Sequence, residues 1–182
     1  MEIERKFIVA EYPANKSRYP WSMITQGYMA ILGDGTEFRL RKENPRLNGG
    51  TLIRRLARAI LRLVTLFFYK PDKNRYSLTV KGGGGKMRKE TEIEITAQQF
   101  DALWPLTEGK QIRKIRHRIP HGRLTAELDI YIEPLDGLAI AEVEFKSEKA
   151  SNNFTAPDWF GREVTDDKRY KNQNLAVHGL PK

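Results

Sequence analysis

Apolar and polar side chains alternate with a period of two through most of the chain, and the alternation predicts eight β-strands, over residues 1–9, 22–32, 36–42, 75–81, 86–95, 110–119, 123–132 and 138–146. Successive side chains on a strand point to opposite faces. The first stretch, MEIERKFIV, therefore sets Glu2, Glu4 and Lys6 on one face and Ile3, Arg5 and Phe7 on the other. Later stretches repeat the device. Glu37, Arg39 and Arg41 alternate with Phe38 and Leu40, and Ser77, Thr79 and Lys81 share a face. Arg88, Glu90, Glu92 and Glu94 oppose Met87, Thr91, Ile93 and Ile95, while Lys114, Arg116 and Arg118 oppose Arg113, Ile115 and His117. Thr125, Glu127, Asp129 and Tyr131 oppose Leu124, Ala126, Leu128 and Ile130, and Glu142, Glu144 and Lys146 oppose Ala141, Val143 and Phe145. A solvated face mixes neutral polar residues with both charges. Here whole strands carry one sign, acidic over 90–94 and basic over 114–118. Repulsion within each run calls for opposite charges on neighbouring strands or for bound ions.

Short turns join most of these strands, at Gly33-Asp34-Gly35, the four glycines 82–85, Pro120 to Gly122 and Pro134 to Gly137, so the sheet is expected to be mainly antiparallel. Thr96 with Gln99 forms a capping box that opens a short helix with Phe100, Leu103 and Trp104 on its apolar face. A helical turn is expected within 11–20 and a terminal helix over 166–177. Between strands, residues 51–68 have helical periodicity. Arg54, Arg55, Arg58 and Arg62 form a narrow basic stripe, and Ile53, Leu56, Ile60, Leu63, Val64 and Phe67 cover much of the rest. Such a helix packs its wide apolar side on the domain, or docks a partner subunit or anionic lipid. The expectation is one domain, 1–182, mainly β with some α, in which an eight-stranded antiparallel sheet closes into a barrel and a helical insertion occupies about 44–74. The barrel interior would be charged and wet, and the exterior would pack on helices.

Charge narrows the contents. Lys and Arg number 32 against 23 Asp and Glu, for a net charge of +9 and a pI near 9.7, which favours an anionic partner. Interleaved carboxylates argue against a duplex nucleic-acid groove and for a small polyanion held beside metal-binding carboxylates. There is no cysteine, which excludes disulfides and thiolate metal sites. His117, His121 and His178 are scattered, so a histidine metal site is not expected. The glycine run lacks the lysine and hydroxyl spacing of a P-loop. No apolar stretch has the length of a membrane span or the form of a signal peptide, so a cytoplasmic location is expected.

The motifs EIERKF, QGY, RLR at 39–41, LTVKG at 78–82, RKETEIEI, KIR at 114–116, ELD at 127–129, AEVEF at 141–145 and EVTDDKRYKN resemble, in this order, the CYTH family of triphosphate tunnel metalloenzymes. The chain departs from that pattern at the insert over 51–68. The resemblance implies an eight-stranded tunnel that binds a triphosphate with one or two divalent cations, Mg2+ or Mn2+. Carried over by position, Glu2, Glu4, Asp129, Glu142 and Glu144 are the metal-side carboxylates. Lys6, Arg39, Arg41, Lys81, Lys114 and Arg116 would hold phosphate oxygens, with Arg88 as a further candidate. Tyr28 and Lys81 match a tyrosine and lysine pair proposed as proton acceptor, though Tyr28 could equally pack and Lys81 simply bind phosphate. Lys168, Arg169 and Lys171 either close the tunnel mouth or face solvent.

The function expected on this basis is metal-dependent hydrolysis of inorganic tripolyphosphate. Two alternatives stand beside it, an adenylyl cyclase of the class IV type and a module that binds polyphosphate without turnover. A homodimer is a compatible assembly.

Overall fold

A computed structural model describes residues 3–46, 74–82 and 90–181. Glu2, Arg88 and the predicted helix over 51–68 lie outside the described residues. All eight expected strands are present, β1 (Ile3–Ile8), β2 (Trp21–Ile31), β3 (Glu37–Arg46), β4 (Arg75–Lys81), β5 (Glu90–Glu94), β6 (Gln111–His121), β7 (Leu124–Ile132) and β8 (Ala139–Phe145). They form one antiparallel sheet in the order β1-β8-β7-β6-β2-β3-β4-β5. β3 runs four residues beyond its expected end at Lys42 and takes in Pro45, which has no amide hydrogen. The proline is tolerated because, among the described residues, β4 pairs with β3 only from Glu37 to Glu43, so Pro45 has a described partner strand on one side alone.

The closed barrel expected from the alternation is not what forms. Among the described residues no ladder joins β1 to β5, and both remain edge strands. The cause lies far along the chain. Backbone at 161–165 takes the outer edge of β1: Gly161 N donates to Ile8 O at 2.8 Å, Ile8 N to Arg162 O at 2.9 Å and Val164 N to Lys6 O at 2.8 Å. Lys6 N donates to Thr165 Oγ1 at 3.0 Å. These groups are therefore not free to pair with β5. Gly161 suits the close approach, because a Cβ there would stand 2.7 Å from Ile8 O. The sheet nonetheless curls, since residues of β1 and β5, its opposite edges, line one cavity.

The apolar set covers the outside of this curl. Phe7, Leu128, Ala141, Val143 and Phe145 form one buried cluster with Phe160, beside helix α2 (Glu148–Asn152). The sequence reading missed α2, which Ser147 caps by accepting from Ala150 N at 3.2 Å. A second cluster places Leu40 and Tyr76 against Phe100 of α1 (Ala97–Leu103). The capping box of α1 is as expected, with Gln99 N donating to Thr96 Oγ1 at 3.1 Å and Thr96 N to Gln99 Oε1 at 2.8 Å. Such a cap stabilises by about 1 kcal/mol.

A third cluster lies on the inner face. Ile112, Tyr131 and Ile140 meet Val164, Tyr170 and Leu175 there. The single terminal helix expected over 166–177 is instead a 3-10 turn, Lys168–Tyr170, followed by α3 (Asn172–His178). Extended backbone at Lys171 (φ −69°, ψ 137°) separates them, and the break lets Tyr170 and Leu175 reach the same cluster. No helix among the described residues is long and apolar enough to cross a membrane.

Candidate active site

The polar set of every strand but β7 opens on one cavity of about 210 Å³, which the terminal segment enters with Lys171, Asn172 and Gln173. Among the described residues seven lysines and arginines line it against six glutamates, so the opposite-sign partners that the one-sign runs require are close at hand.

The register explains the pairing. Arg116 on β6 stands opposite Asp129 on β7, and Lys6 on β1 opposite Glu142 on β8. Arg116 grips Asp129 with two bonds, Nε to Oδ1 at 2.6 Å and Nη2 to Oδ2 at 2.5 Å. Its Nη2 also reaches Glu142 at 2.8 Å, and its Nη1 bonds Glu127. Lys114 Nζ donates to Asp129 Oδ2 at 2.5 Å, and Lys6 Nζ to Glu142 Oε1 at 2.9 Å, with Glu4 at 3.1 Å. On the other half of the sheet, Arg39 lies 3.6 Å from Glu90 and 3.7 Å from Glu92, and Lys81 lies 2.8 Å from Glu90. Arg41 donates to Glu43 at 2.8 Å, and Arg118 donates to the same carboxylate at 3.0 Å.

Burial tunes these groups in opposite directions. It works against charge on Arg116, yet Asp129 and Glu142 outweigh it and raise Arg116 well above its ordinary value. Burial would raise Glu142, but Lys6, Arg116 and Lys114 hold it well below the usual carboxylate range. Lys114 goes the other way. Burial, reinforced by Arg116 and opposed by Asp129, pulls its ammonium down to about 8. Arg41 is likewise lowered by burial and by Arg116 and Arg39, with Glu43 opposing. The Nε donors of both Arg39 and Arg41 are buried without a hydrogen-bond partner among the described residues. Cations crowded until two are depressed, with two donors unpaired, make a site suited to an anion.

Glu43 yields a stability prediction. Burial would raise its carboxyl, but the Ser22 hydrogen bond and the charges of Arg41 and Arg118 hold it at about 2. A carboxylate depressed in the folded state stabilises fully above its unfolded value and loses that contribution as pH falls. Unfolding experiments should therefore show a loss between about pH 4.5 and pH 2 that Glu43→Gln reduces.

The expected site residues other than Glu2 and Arg88 can now be placed. Glu4, Lys6, Tyr28, Arg39, Arg41, Lys81, Lys114, Arg116, Glu142 and Glu144 all line the cavity. Asp129 does not line it; fully buried, it serves Lys114 and Arg116 as their shared counter-ion. Lys81 has the Glu90 carboxylate as a close neighbour at 2.8 Å. It stands two strands from Tyr28, with β3 between them, which is about 10 Å between strand axes. Of the terminal cations Lys171 reaches the cavity, whereas Arg169 turns outward onto Asp167 at 2.7 Å.

Four residues were not singled out from sequence. Glu37 and Glu43 continue the alternation of Arg39 and Arg41 in both directions, which was a usable signal. Gln26, in the QGY motif, points inward with Tyr28. Asn172 accepts from Tyr131 Oη at 2.7 Å, a contact with no local sequence signature. Among the described residues no three histidine or carboxylate side chains are gathered into a ready metal cage.

No family model matches the chain. It is 39% identical over 178 residues to an inorganic triphosphatase of Nitrosomonas europaea, covering 97% of both proteins. It is 37% identical over 136 residues to an inorganic triphosphatase of Acetivibrio thermocellus, covering 69% of this chain and 86% of the relative. A crystal structure of an inorganic triphosphatase matches with a TM-score of 0.64 and 34% identity, over 100% of this chain and 97% of that one. Near-complete coverage at this identity agrees with the ordered motifs and with the inward convergence of their charged residues, and the chain belongs to the CYTH family, alongside the inorganic triphosphatases.

Proposed function

We propose that this protein hydrolyses a triphosphate, inorganic tripolyphosphate foremost, with the help of a divalent cation such as Mg2+ or Mn2+. The unpaired, buried Nε donors of Arg39 and Arg41 carry this assignment, because phosphate oxygens are the acceptors that a cation-crowded cavity of this size would take. The names of the relatives support the same substrate class.

A divalent cation fits the donor set. Glu4 and Glu144 stand directly opposite each other on β1 and β8, two carboxylates with Lys6 3.1 Å from Glu4 beside them. Both line the cavity, and Mg2+ characteristically takes one or two carboxylates with waters and substrate phosphates rather than a protein cage. Glu4 and Glu144 would hold the ion, with Glu2, outside the described residues, a further candidate by its sequence position. Bound there, the ion would neutralise charge that builds on the phosphates. Glu142 and Asp129, already engaged by Lys6, Lys114 and Arg116, keep those cations in place.

Phosphoanhydride cleavage depends mainly on positioning and charge neutralisation. Arg39, Arg41, Arg116, Lys81 and Lys114 would fix the phosphate chain. In-line attack by water on a terminal phosphorus then breaks one P–O–P bond and gives orthophosphate and pyrophosphate. Phosphate release should be fastest with tripolyphosphate, slower with ATP and thiamine triphosphate, and abolished when EDTA removes Mg2+ or Mn2+. Cyclic AMP formed from ATP without phosphate release would make the protein a cyclase, and binding without product would make it a polyphosphate-binding module.

A further inference from the structure

We propose that Tyr28 meets the bound phosphate chain as a hydrogen-bond donor that keeps its proton, and that Gln26 is the positioning residue that fixes it in this role. The proposal rests on the triphosphate reading above.

Gln26 and Tyr28 are two residues apart on β2, share its inner face, are each 1% exposed and line the cavity. Gln26 Nε2 donates to Tyr28 Oη at 2.7 Å. A phenol has one proton to give and lone pairs with which to accept. The amide takes an accepting position, so the O–H must seek its acceptor elsewhere, and none is found among the described residues. On β3, Arg39 stands opposite Tyr28 and Arg41 opposite Gln26. These are the two arginines whose buried Nε donors are unpaired. On the other flank of β2 the register partner of Gln26 is Ile112, which offers the amide nothing polar. One wall of the cavity thus presents three donors that lack acceptors, and phosphate oxygens are acceptors only.

The same geometry disfavours ionised Tyr28. Burial, with Glu37 adding to it, pushes the phenol upward against the pull of Arg39 and Gln26. A proton acceptor would have to be phenolate, and the cavity makes that form costly. An amide that donates to the oxygen leaves the hydroxyl proton to point at the ligand.

The test uses the full-length chain, Tyr28→Phe, Gln26→Met and the double variant, each checked for an unchanged unfolding midpoint. With tripolyphosphate and Mg2+, Tyr28→Phe should lower kcat/KM about 10- to 100-fold, in keeping with loss of a hydrogen bond to a charged group. Its pH profile should keep the wild-type shape. Gln26→Met should cost less, and the double variant no more than Tyr28→Phe alone, since Gln26 acts through Tyr28. A titration limb that disappears in Tyr28→Phe, or additive losses in the double variant, would overturn the proposal. A second measurement needs no turnover. In protein labelled with 13C at tyrosine Cζ, the signal missing from Tyr28→Phe should stay at the neutral-phenol position past about pH 10, the ordinary tyrosine value. It should move when tripolyphosphate is added, and move less in Gln26→Met. A phenolate signal near neutral pH, or no movement with tripolyphosphate, refutes the donor role. Wild-type protein that cleaves none of the triphosphates would instead count against the hydrolase reading, while the NMR result still decides how Tyr28 is protonated and held.

Discussion

Glu4→Gln should lower phosphate release from tripolyphosphate by more than about 100-fold while leaving the fold intact. Substitutions that only orient a metal ligand already cost 10- to 100-fold in affinity or activity, so losing a ligand itself should cost at least the upper end. The fold is expected to tolerate the change. The Glu4 side chain is 39% exposed, and Lys6 keeps its 2.9 Å bond to Glu142 when Glu4 is neutralised. Denaturant unfolding should therefore stay within about 0.5 kcal/mol of wild type, as for most exposed substitutions. Calorimetric titration with Mg2+ supplies the complementary measurement, weaker binding being expected in the variant. Undiminished turnover and unchanged Mg2+ affinity would remove Glu4 from the metal set.

Asp129→Asn should have the opposite profile, a large loss of stability. Both Asp129 oxygens are occupied, by Lys114 at 2.5 Å and by Arg116 at 2.6 and 2.5 Å, and the side chain is wholly buried. Removing one partner from such an arrangement leaves uncompensated buried charge, a change that typically costs about 3–5 kcal/mol. Asparagine preserves the volume, so a cavity does not complicate the comparison. Denaturant unfolding measures the loss directly. A cycle with Lys114→Met separates charge from shape, because the double variant removes both members of an oppositely charged pair and should be less damaged than the sum of the two single changes. Stability near wild type in Asp129→Asn would contradict the counter-ion role and return Asp129 to the ligands expected from sequence.

These two carboxylates illustrate how far the sequence could be read. The period of two placed both on the inner face, and the structure agrees. It could not give depth. Asp129 sits in the middle of β7, beside the basic strand β6, and is covered by the cations it neutralises. Glu4, near the start of an edge strand, remains partly open. The one-sign runs were informative for a similar reason. Like charges two residues apart on a strand demand neighbours of the other sign, and the sheet order supplies them, acidic β7 beside basic β6 and acidic β5 beside β4 and Arg39. Strand number, the capping box at Thr96 and the short turns at 33–35, 120–122 and 134–137 are local features, and all were legible, whereas the glycine turn at 82–85 runs outside the described residues. Closure was not, because it depends on backbone at 161–165 taking an edge laid down by residues 6–8. The kink at Lys171 escaped for a comparable reason, since burial of Tyr170 and Leu175 in one distant cluster overrides a continuous helical pattern.

Among the described residues no strand pairs with the outer edge of β5, which has a consequence for behaviour at high concentration. An exposed strand edge is a template on which a second chain can extend the sheet, and natural proteins guard such edges with brevity and with inward-facing charge. β5 has the charge, with Glu90, Glu92 and Glu94 at alternate positions. Two copies meeting edge to edge would bring glutamate rows together. The carboxylates that balance Arg39 and Lys81 inside the protein would thereby also oppose edge-to-edge association of separate molecules along this strand.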